Sequence, residues 1–311
     1  MARTVTLAAA QMGPISRTEN RASVVRRLIT MMRQAKAMGA DVVAYPEATL
    51  TAFFPHWFTE DEDEVDAWFE SEMPGPDTQP LFDEARRLGM GFHLGYCELD
   101  LSAGRKRRFN TSILVDATGT IIGKYRKIHL PGHSDHRPET PFQNLEKRYF
   151  EVGDLGFGAW RAYGGVAGMI ICNDRRWPES YRVLGLQGVE MVFCGYNTPV
   201  HHPSAPDHDR LGQFHNELSM QSGAYQNSCW VVGIAKAGME EGVDMIAGSC
   251  IIAPNGEIVA RAAGADDEVI VARCDLDLGR SYRETTFNFA KHRRPEHYGM
   301  IVERTGRVDP G

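Results

Sequence analysis

Short apolar runs alternate with amphipathic stretches along most of the chain. Runs of about 4–8 apolar residues are typical of buried strands, whereas apolar residues three or four apart indicate helices. The apolar runs predict strands at residues 5–11, 41–45, 91–98, 166–171, 191–195, 229–236, 249–253 and 257–262. Helical periodicity predicts helices at residues 20–38, 77–88, 178–187 and 209–227. Two further runs, 109–115 and 121–126, flank a turn and predict a hairpin. This alternation of strands and helices indicates an α/β protein.

The order of elements repeats weakly between two halves of the chain. Gly39 and Asp41 precede one strand, and Gly188 and Glu190 precede another with the same spacing. Each half also carries a later hairpin, so we expect two sheets packed face to face with helices outside. No linker composition divides the chain, which predicts a single domain over residues 1–311. Its tail, at about residues 287–311, is polar and irregular, and either frays or wraps a partner subunit.

Cys172 ends a short apolar strand and begins a polar turn. Arg175 and Arg176 follow it, and Pro178 opens the next predicted helix. A thiol at such a strand-to-helix elbow is typical of a nucleophile, and nearby cations and a helix N-terminus favour its thiolate form. The alternative is a buried cysteine that packs as a small hydrophobic side chain. The two arginines that follow argue against that alternative.

Glu47 and Lys127 also stand at the ends of predicted strands. Glu47 follows the strand at 41–45, and Lys127 ends the second strand of the hairpin. Taken alone, Glu47 could be a solvent-facing strand end and Lys127 one of several exposed cations.

Together, the segments around Glu47, Lys127 and Cys172 resemble the Glu-Lys-Cys signature of the nitrilase superfamily. The order and spacings agree, and the resemblance runs over nearly the whole chain. Within the superfamily, the chain resembles the N-carbamoyl-D-amino acid amidohydrolases at residues 107–115, 130–133, 145–150 and 195–199. The resemblance implies a four-layer α-β-β-α sandwich of the carbon-nitrogen hydrolase type that needs no cofactor and no metal.

The resemblance also implies the role of each catalytic residue. Cys172 would attack the carbonyl carbon, Glu47 would move the protons, and Lys127 would stabilise the oxyanion. Glu146 matches a second glutamate of the family, although its sequence context is also compatible with a surface position. Asn144 stands where the family has a histidine, which leaves the substrate preference open.

A free carboxylate on the substrate is implied by the arginine pair. Arg175 and Arg176 would bind it as a bidentate clamp, which suits guanidinium geometry. One of the two could instead form an internal ion pair with Asp174 or Glu179. The remaining substrate contacts would come from Asn173, Asn197, Thr198 and His129.

The expected reaction is hydrolysis of an N-carbamoyl-D-amino acid to the D-amino acid, CO₂ and ammonia through a cysteine thioester. The alternatives within the superfamily are an N-carbamoyl-β-alanine hydrolase and an aliphatic amidase. A nitrilase has less use for a carboxylate clamp. The resemblance also implies a homodimer or homotetramer.

Charge and composition exclude several other classes of protein. The 311 residues carry a net charge of −7, and the basic cluster at residues 105–108 is isolated, so we expect no nucleic-acid partner. No run approaches the roughly 20 apolar residues that span a bilayer, and the apolar N-terminal run is too short for a signal sequence. We therefore expect a cytoplasmic protein without a membrane partner, whose six scattered cysteines are free thiols.

Two further classes of protein remain as alternatives, and a third is excluded. Eleven histidines suggest a metal-dependent amidohydrolase, but no His-Glu-x-x-His motif accompanies them. A non-catalytic α/β binding subunit would not need Glu47, Lys127 and Cys172 together. A dinucleotide-binding domain is excluded because no Gly-x-Gly-x-x-Gly follows the first strand.

Overall fold

A computed structural model describes residues 3–102 and 104–309 of the chain. The strands are β1 (Thr4–Gln11), β2 (Val42–Ala44), β3 (Gly91–Asp100), β4 (Arg107–Val115), β5 (Ile121–Arg126), β6 (Ala159–Ala162), β7 (Gly165–Ile171), β8 (Met191–Tyr196), β9 (Trp230–Ala235), β10 (Ala237–Glu240), β11 (Val243–Ile246), β12 (Cys250–Ile252), β13 (Ile258–Arg261) and β14 (Glu268–Asp275). The α-helices are α1 (Arg21–Ala37), α2 (Glu62–Asp66), α3 (Gln79–Leu88), α4 (Glu146–Tyr149), α5 (Pro178–Leu186), α6 (Gly212–Asn227), α7 (Arg280–Glu284), α8 (Phe289–His292) and α9 (Gly299–Glu303).

Most strands belong to two six-stranded sheets. The first sheet has the order β14-β1-β2-β3-β4-β5, and the second has the order β13-β12-β9-β8-β7-β6. In the first sheet β1, β2 and β3 are parallel, and in the second β7, β8 and β9 are parallel. Antiparallel strands follow each parallel set. The two halves of the chain therefore repeat the same order of elements, as the sequence indicated.

The two sheets pack face to face and helices cover their outer faces. Apolar side chains of both sheets, such as Leu7 and Ala9 of β1 and Met169 and Ile171 of β7, share one buried core. A second core joins the other face of the first sheet to α1 and α3, while α5 and α6 cover the second sheet. The predicted four-layer α-β-β-α sandwich is therefore confirmed. Among the described residues, no helix combines the length and apolar character needed to span a bilayer.

Some elements differ from the sequence prediction. Strands β6, β10, β11 and β14 were not predicted, because polar residues interrupt their apolar pattern. The predicted helix at 209–227 is α-helical from Gly212 only, and a 3-10 helix at Pro206–Leu211 precedes it. The tail is not wholly irregular, since α8 and α9 lie within it, and its last two residues lie outside the described part of the chain.

The topology brings several strand ends to one edge of the sandwich. β2 and β5 of the first sheet run in the same direction, because two antiparallel steps separate β5 from β3. Glu47 follows β2, Lys127 follows β5, Cys172 follows β7 and Asn197 follows β8. Ligands of open α/β sheets bind beyond the carboxyl ends of strands. This edge is therefore where a site is expected.

Candidate active site

Cys172 lies at a sharp turn where β7 passes into the 3-10 helix Cys172–Arg176. Its backbone has a φ of 48°, in the left-handed region that non-glycine residues rarely adopt. The side chain is buried, with Sγ 3.5 Å from the backbone oxygen of Asn197 and 4.0 Å from Oγ1 of Thr198. Strain of this kind at a reactive side chain is typical of functional sites.

Glu47 is fully buried, and three donors hold its carboxylate. Oε1 accepts hydrogen bonds from Nδ2 of Asn110 and Nζ of Lys127, each at 2.7 Å. Oε2 accepts one from the backbone N–H of Asn197 at 2.7 Å, and the Asn197 amide donates to the backbone oxygen of Glu47. These contacts from both sheets fix the carboxylate in one orientation.

Lys127 and Glu146 complete the buried charged group. Nζ of Lys127 lies 2.7 Å from Oε1 of Glu47 and 2.5 Å from Oε2 of Glu146, and all three side chains are inaccessible to solvent. Glu146 is thus not the surface residue that its sequence context also allowed. The negative charges around Lys127 raise the pKa of its ammonium group despite burial, so it stays a cation.

The same cluster has the donor atoms of a possible metal site. One ligand atom each of Glu47, Glu146 and Cys172 lies within 4.8 Å of the others. However, the ammonium of Lys127 bonds to both carboxylates and already supplies the positive charge that they require. The geometry therefore fits a fixed ammonium cation better than a metal ion.

Burial raises the pKa of two groups in this cluster, Cys172 and Glu146. It raises the pKa of the Cys172 thiol, and the charge of Glu47 adds to this effect, while Lys127 and Arg175 oppose it. The neighbouring cations favour the thiolate, as the sequence indicated, but desolvation has the larger effect on the pKa. Burial also raises the pKa of Glu146 to about 7, against the opposing charge of Lys127.

A cavity of about 520 Å³ opens at this edge of the sandwich. It brings together six of the residues predicted from the sequence, namely Glu146, Cys172, Asn173, Arg176, Asn197 and Thr198. Asn144, which left the substrate preference open in the sequence, also lines it, together with His201, His202 and His208. Glu47 and Lys127 are buried and do not line the cavity, but they bond to its lining residues Asn197 and Glu146.

The two predicted arginines have different surroundings. Arg176 is exposed and lines the cavity. Arg175 is buried and turns inward, where it donates to Oδ1 of Asn216 at 2.7 Å and to the backbone oxygen of Cys172 at 2.6 Å. The expected bidentate pair is therefore not present, and Arg175 supports the turn rather than lining the cavity. It also forms neither of the ion pairs that the sequence left open, with Asp174 or Glu179.

His129 lies beside the cavity rather than in its wall. Its Nδ1 lies 2.8 Å from Oδ1 of Asp174, and its ring stacks on Trp177 at 5.1 Å. It lines a smaller neighbouring cavity of about 350 Å³ together with Trp177 and Asn173. Its position fits a structural hydrogen bond better than a substrate contact.

Sequence reasoning missed Asn110 and Asp174. Asn110 binds Glu47, and Asp174 is a fully buried carboxylate next to the nucleophile. Asn110 lies in segment 107–115, where the family resemblance was noted, but nothing in its neighbours indicates that it faces Glu47. The sequence left Asp174 open as a partner for one of the two arginines, because spacing alone does not give the direction of a side chain.

A buried thiol, a carboxylate to accept its proton and a fixed ammonium cation define a cysteine hydrolase. The family model for carbon-nitrogen hydrolases matches residues 6–284. The chain belongs to this family and is an amidohydrolase of the nitrilase superfamily.

Individual relatives agree with this assignment. The chain is 28% identical to an N-carbamoylputrescine amidase of Solanum lycopersicum, over 98% of this chain and 97% of the relative. It is 32% identical to a nitrilase of Pyrococcus abyssi, over 86% of this chain and 90% of the relative. The structure of a carbon-nitrogen hydrolase from Helicobacter pylori superposes with a TM-score of 0.82 at 20% identity, covering 97% of this chain and 99% of that one. This last similarity supports the fold.

Proposed function

We propose that the protein hydrolyses N-carbamoyl-D-amino acids to the D-amino acid, CO₂ and ammonia. The substrate class is argued from Arg176, whose guanidinium lines the cavity that contains Cys172 and forms no salt bridge or hydrogen bond within residues 3–102 and 104–309. Burial and the charge of Arg175 lower the pKa of this guanidinium, while Cys172 and Glu146 oppose the shift. No hydrogen-bonded carboxylate contributes to it. A carboxylate on the substrate would supply the missing partner.

The charges of the cavity wall favour an anionic substrate over a cationic one. Arg137 and Arg176 line the cavity and are its permanent cations. Its two acidic residues are both engaged, Glu146 with Lys127 and Asp209 with His201. The relative from tomato is named for N-carbamoylputrescine, whose free end is an amine. This wall offers such an amine no unpaired carboxylate among the described residues.

Attack on the carbamoyl carbon begins from the neutral thiol. Cys172 Sγ bonds to the carbon as its proton passes to the carboxylate of Glu47, a transfer that typically accelerates reactions about 10²- to 10⁴-fold. The carbonyl oxygen becomes an oxyanion, which the ammonium of Lys127 stabilises. Glu47 then returns the proton to the terminal nitrogen, which leaves as ammonia.

Water completes the reaction. The first step leaves a thioester between Cys172 and the carbonyl carbon, which still carries the amino-acid nitrogen. Glu47 takes a proton from water, whose oxygen bonds to that carbon, and the thiol is released with the returning proton. The product is the N-carboxy amino acid, which loses CO₂ to give the amino acid. The D preference rests on the resemblance to the amidohydrolases of N-carbamoyl-D-amino acids.

The role of Arg176 is tested by comparing a carboxylate substrate with its neutral analogue. The two substrates are N-carbamoyl-D-phenylalanine and phenethylurea, which lacks the carboxylate. We expect Arg176→Gln to lower the kcat/KM of the first relative to that of the second about 10- to 100-fold. This matches the roughly 1.5–3 kcal/mol of a charge-assisted hydrogen bond. Arg26→Gln removes an exposed charge from α1 and should leave the ratio as in the wild type. An unchanged ratio in Arg176→Gln would rule out the carboxylate contact.

A further inference from the structure

The buried carboxylate of Asp174 connects the turn of the nucleophile to the strand end that carries Lys127. Asp174 is inaccessible to solvent, yet no lysine or arginine forms an ion pair with it among residues 3–102 and 104–309. Instead it accepts four hydrogen bonds, all between 2.8 and 3.0 Å. A buried charge is tolerated only when such bonds replace its hydration, so this carboxylate requires its partners.

One of these bonds closes the turn around Cys172. The backbone N–H of Ile171 donates a hydrogen bond to Oδ2 of Asp174 at 3.0 Å. Cys172 lies between these two residues in the chain, so the bond spans the nucleophile. Cys172 has its φ of 48° within this closed turn. Because the left-handed conformation is unfavourable for cysteine, something must hold it, and the Ile171–Asp174 bond does so directly.

The other three bonds reach the first sheet. The hydroxyl of Tyr125, on β5, donates to Oδ2 at 2.8 Å. The backbone N–H of His129 donates to Oδ1 at 2.9 Å, and Nδ1 of its ring lies 2.8 Å from the same oxygen. Lys127 lies between these two residues in the chain. The carboxylate therefore joins the Lys127 segment to the Cys172 turn across the gap between the sheets.

We infer that Asp174 is a positioning residue that sets the distance and orientation between the Cys172 thiol and the Lys127 ammonium. It touches neither substrate nor reacting atoms and acts through the two segments that it joins. Attack and oxyanion stabilisation need both groups in place at once, and a displacement of about 1 Å can cost about 10²-fold in rate. The inference rests on Cys172 being the nucleophile of the proposed function.

Asp174→Asn tests the inference with little change in side-chain volume. Each oxygen of Asp174 faces one backbone N–H, of His129 at Oδ1 and of Ile171 at Oδ2, so an amide NH₂ in either position meets a group that can only donate. We expect kcat for N-carbamoyl-D-phenylalanine to fall about 100-fold while KM stays within about threefold. Alkylation of Cys172 by iodoacetamide, followed by mass spectrometry, should slow about tenfold.

Glu190→Gln is the matched control. This carboxylate also accepts a backbone N–H, that of Val166 at 3.1 Å, and bonds to Arg3, but it lies at the opposite end of β7 from Cys172. We expect its kcat to stay within about twofold of the wild-type value and its alkylation rate to be unchanged. This should hold even if its melting temperature falls as much as that of Asp174→Asn. Equal losses of kcat in the two variants would overturn the inference.

Tyr125→Phe covers the case in which Asp174→Asn does not fold. It removes the single bond from the hydroxyl to Asp174, and we expect kcat to fall about fivefold with KM unchanged. Wild-type kcat in folded Asp174→Asn, or in Tyr125→Phe where the former does not fold, would overturn the inference. If wild-type protein releases no ammonia from N-carbamoyl amino acids, the proposed function fails alone, because the alkylation rates still test the positioning.

Discussion

At the scale of single residues, the site places a permanent positive charge, that of Lys127, close to the thiol of Cys172 and the carboxylate of Glu47. Lys127 remains an ammonium because carboxylates surround it, whereas burial keeps the Cys172 thiol protonated until Glu47 removes the proton. The sequence predicted these residue types and their order. It did not predict the protonation of Cys172, because desolvation depends on how completely the two sheets enclose the thiol.

The raised pKa of Glu146 predicts a pH dependence of stability. Its carboxyl group has an ordinary value of 4.5 and a pKa of about 7 in the folded protein. The folded state thus binds this proton more tightly than the unfolded chain does. Its stabilising contribution is complete below about pH 4.5 and is lost as the pH rises through about 7.

Glu146→Gln removes this titration. The quantity to follow is the free energy of unfolding of the variant minus that of the wild type. Between pH 5 and 7 this difference should rise by at most about 1.4 kcal/mol per pH unit, because only the wild type loses the contribution of Glu146. Urea denaturation of both proteins at intervals from pH 5 to 8 measures this difference. A difference that stays constant with pH would contradict the raised pKa.

At the scale of elements, two glycines allow Glu47 to lie between the sheets. A Cβ on Gly95 of β3 would lie 2.5 Å from the backbone oxygen of Pro46, and one on Gly195 of β8 would lie 2.6 Å from the backbone nitrogen of Glu47. Only a residue without a side chain fits at either position. The sequence showed these glycines within predicted strands but could not show what approaches them, since β3 and β8 belong to different sheets.

Gly195→Ala should therefore displace Glu47 rather than simply loosen the core. We expect kcat to fall about 100-fold, because a shift of about 1 Å misplaces the proton acceptor. Gly264→Ala is the control and should retain wild-type kinetics, because Gly264 is exposed and the nearest atom to an added Cβ is the flexible side-chain Oε2 of Glu268 at 3.2 Å. Wild-type kcat in Gly195→Ala would show that the Pro46–Glu47 segment adapts at no cost to catalysis.

At the scale of the whole molecule, the sandwich follows from the sequence more completely than the site does. Parallel strands and helices repeat in the two halves, which is enough to predict two sheets with helices outside. The inward direction of Arg175 and the bond between His129 and Asp174 depend on contacts between segments about 40 residues apart. Local patterns carry no information about such contacts.

The prediction about assembly concerns the C-terminal tail. Phe287 contacts Tyr225 of α6, but Met300, Ile301 and Val302 of α9 are 61%, 57% and 87% exposed. We expect residues 288–311 to pack against a second copy of the chain, which would cover these apolar side chains. Size-exclusion chromatography with light scattering should then show a smaller assembly after their removal. A truncated protein with the mass of the intact oligomer and full activity would contradict this expectation.

The central claim is tested most directly by ammonia release from N-carbamoyl-D-phenylalanine and its L-enantiomer, with a chelator present. Wild type and Cys172→Ala are assayed side by side, after circular dichroism has shown that both are folded. We expect D-selective release by the wild type that the chelator does not reduce, and no release by Cys172→Ala. Release that persists in Cys172→Ala, or that the chelator abolishes, would contradict it.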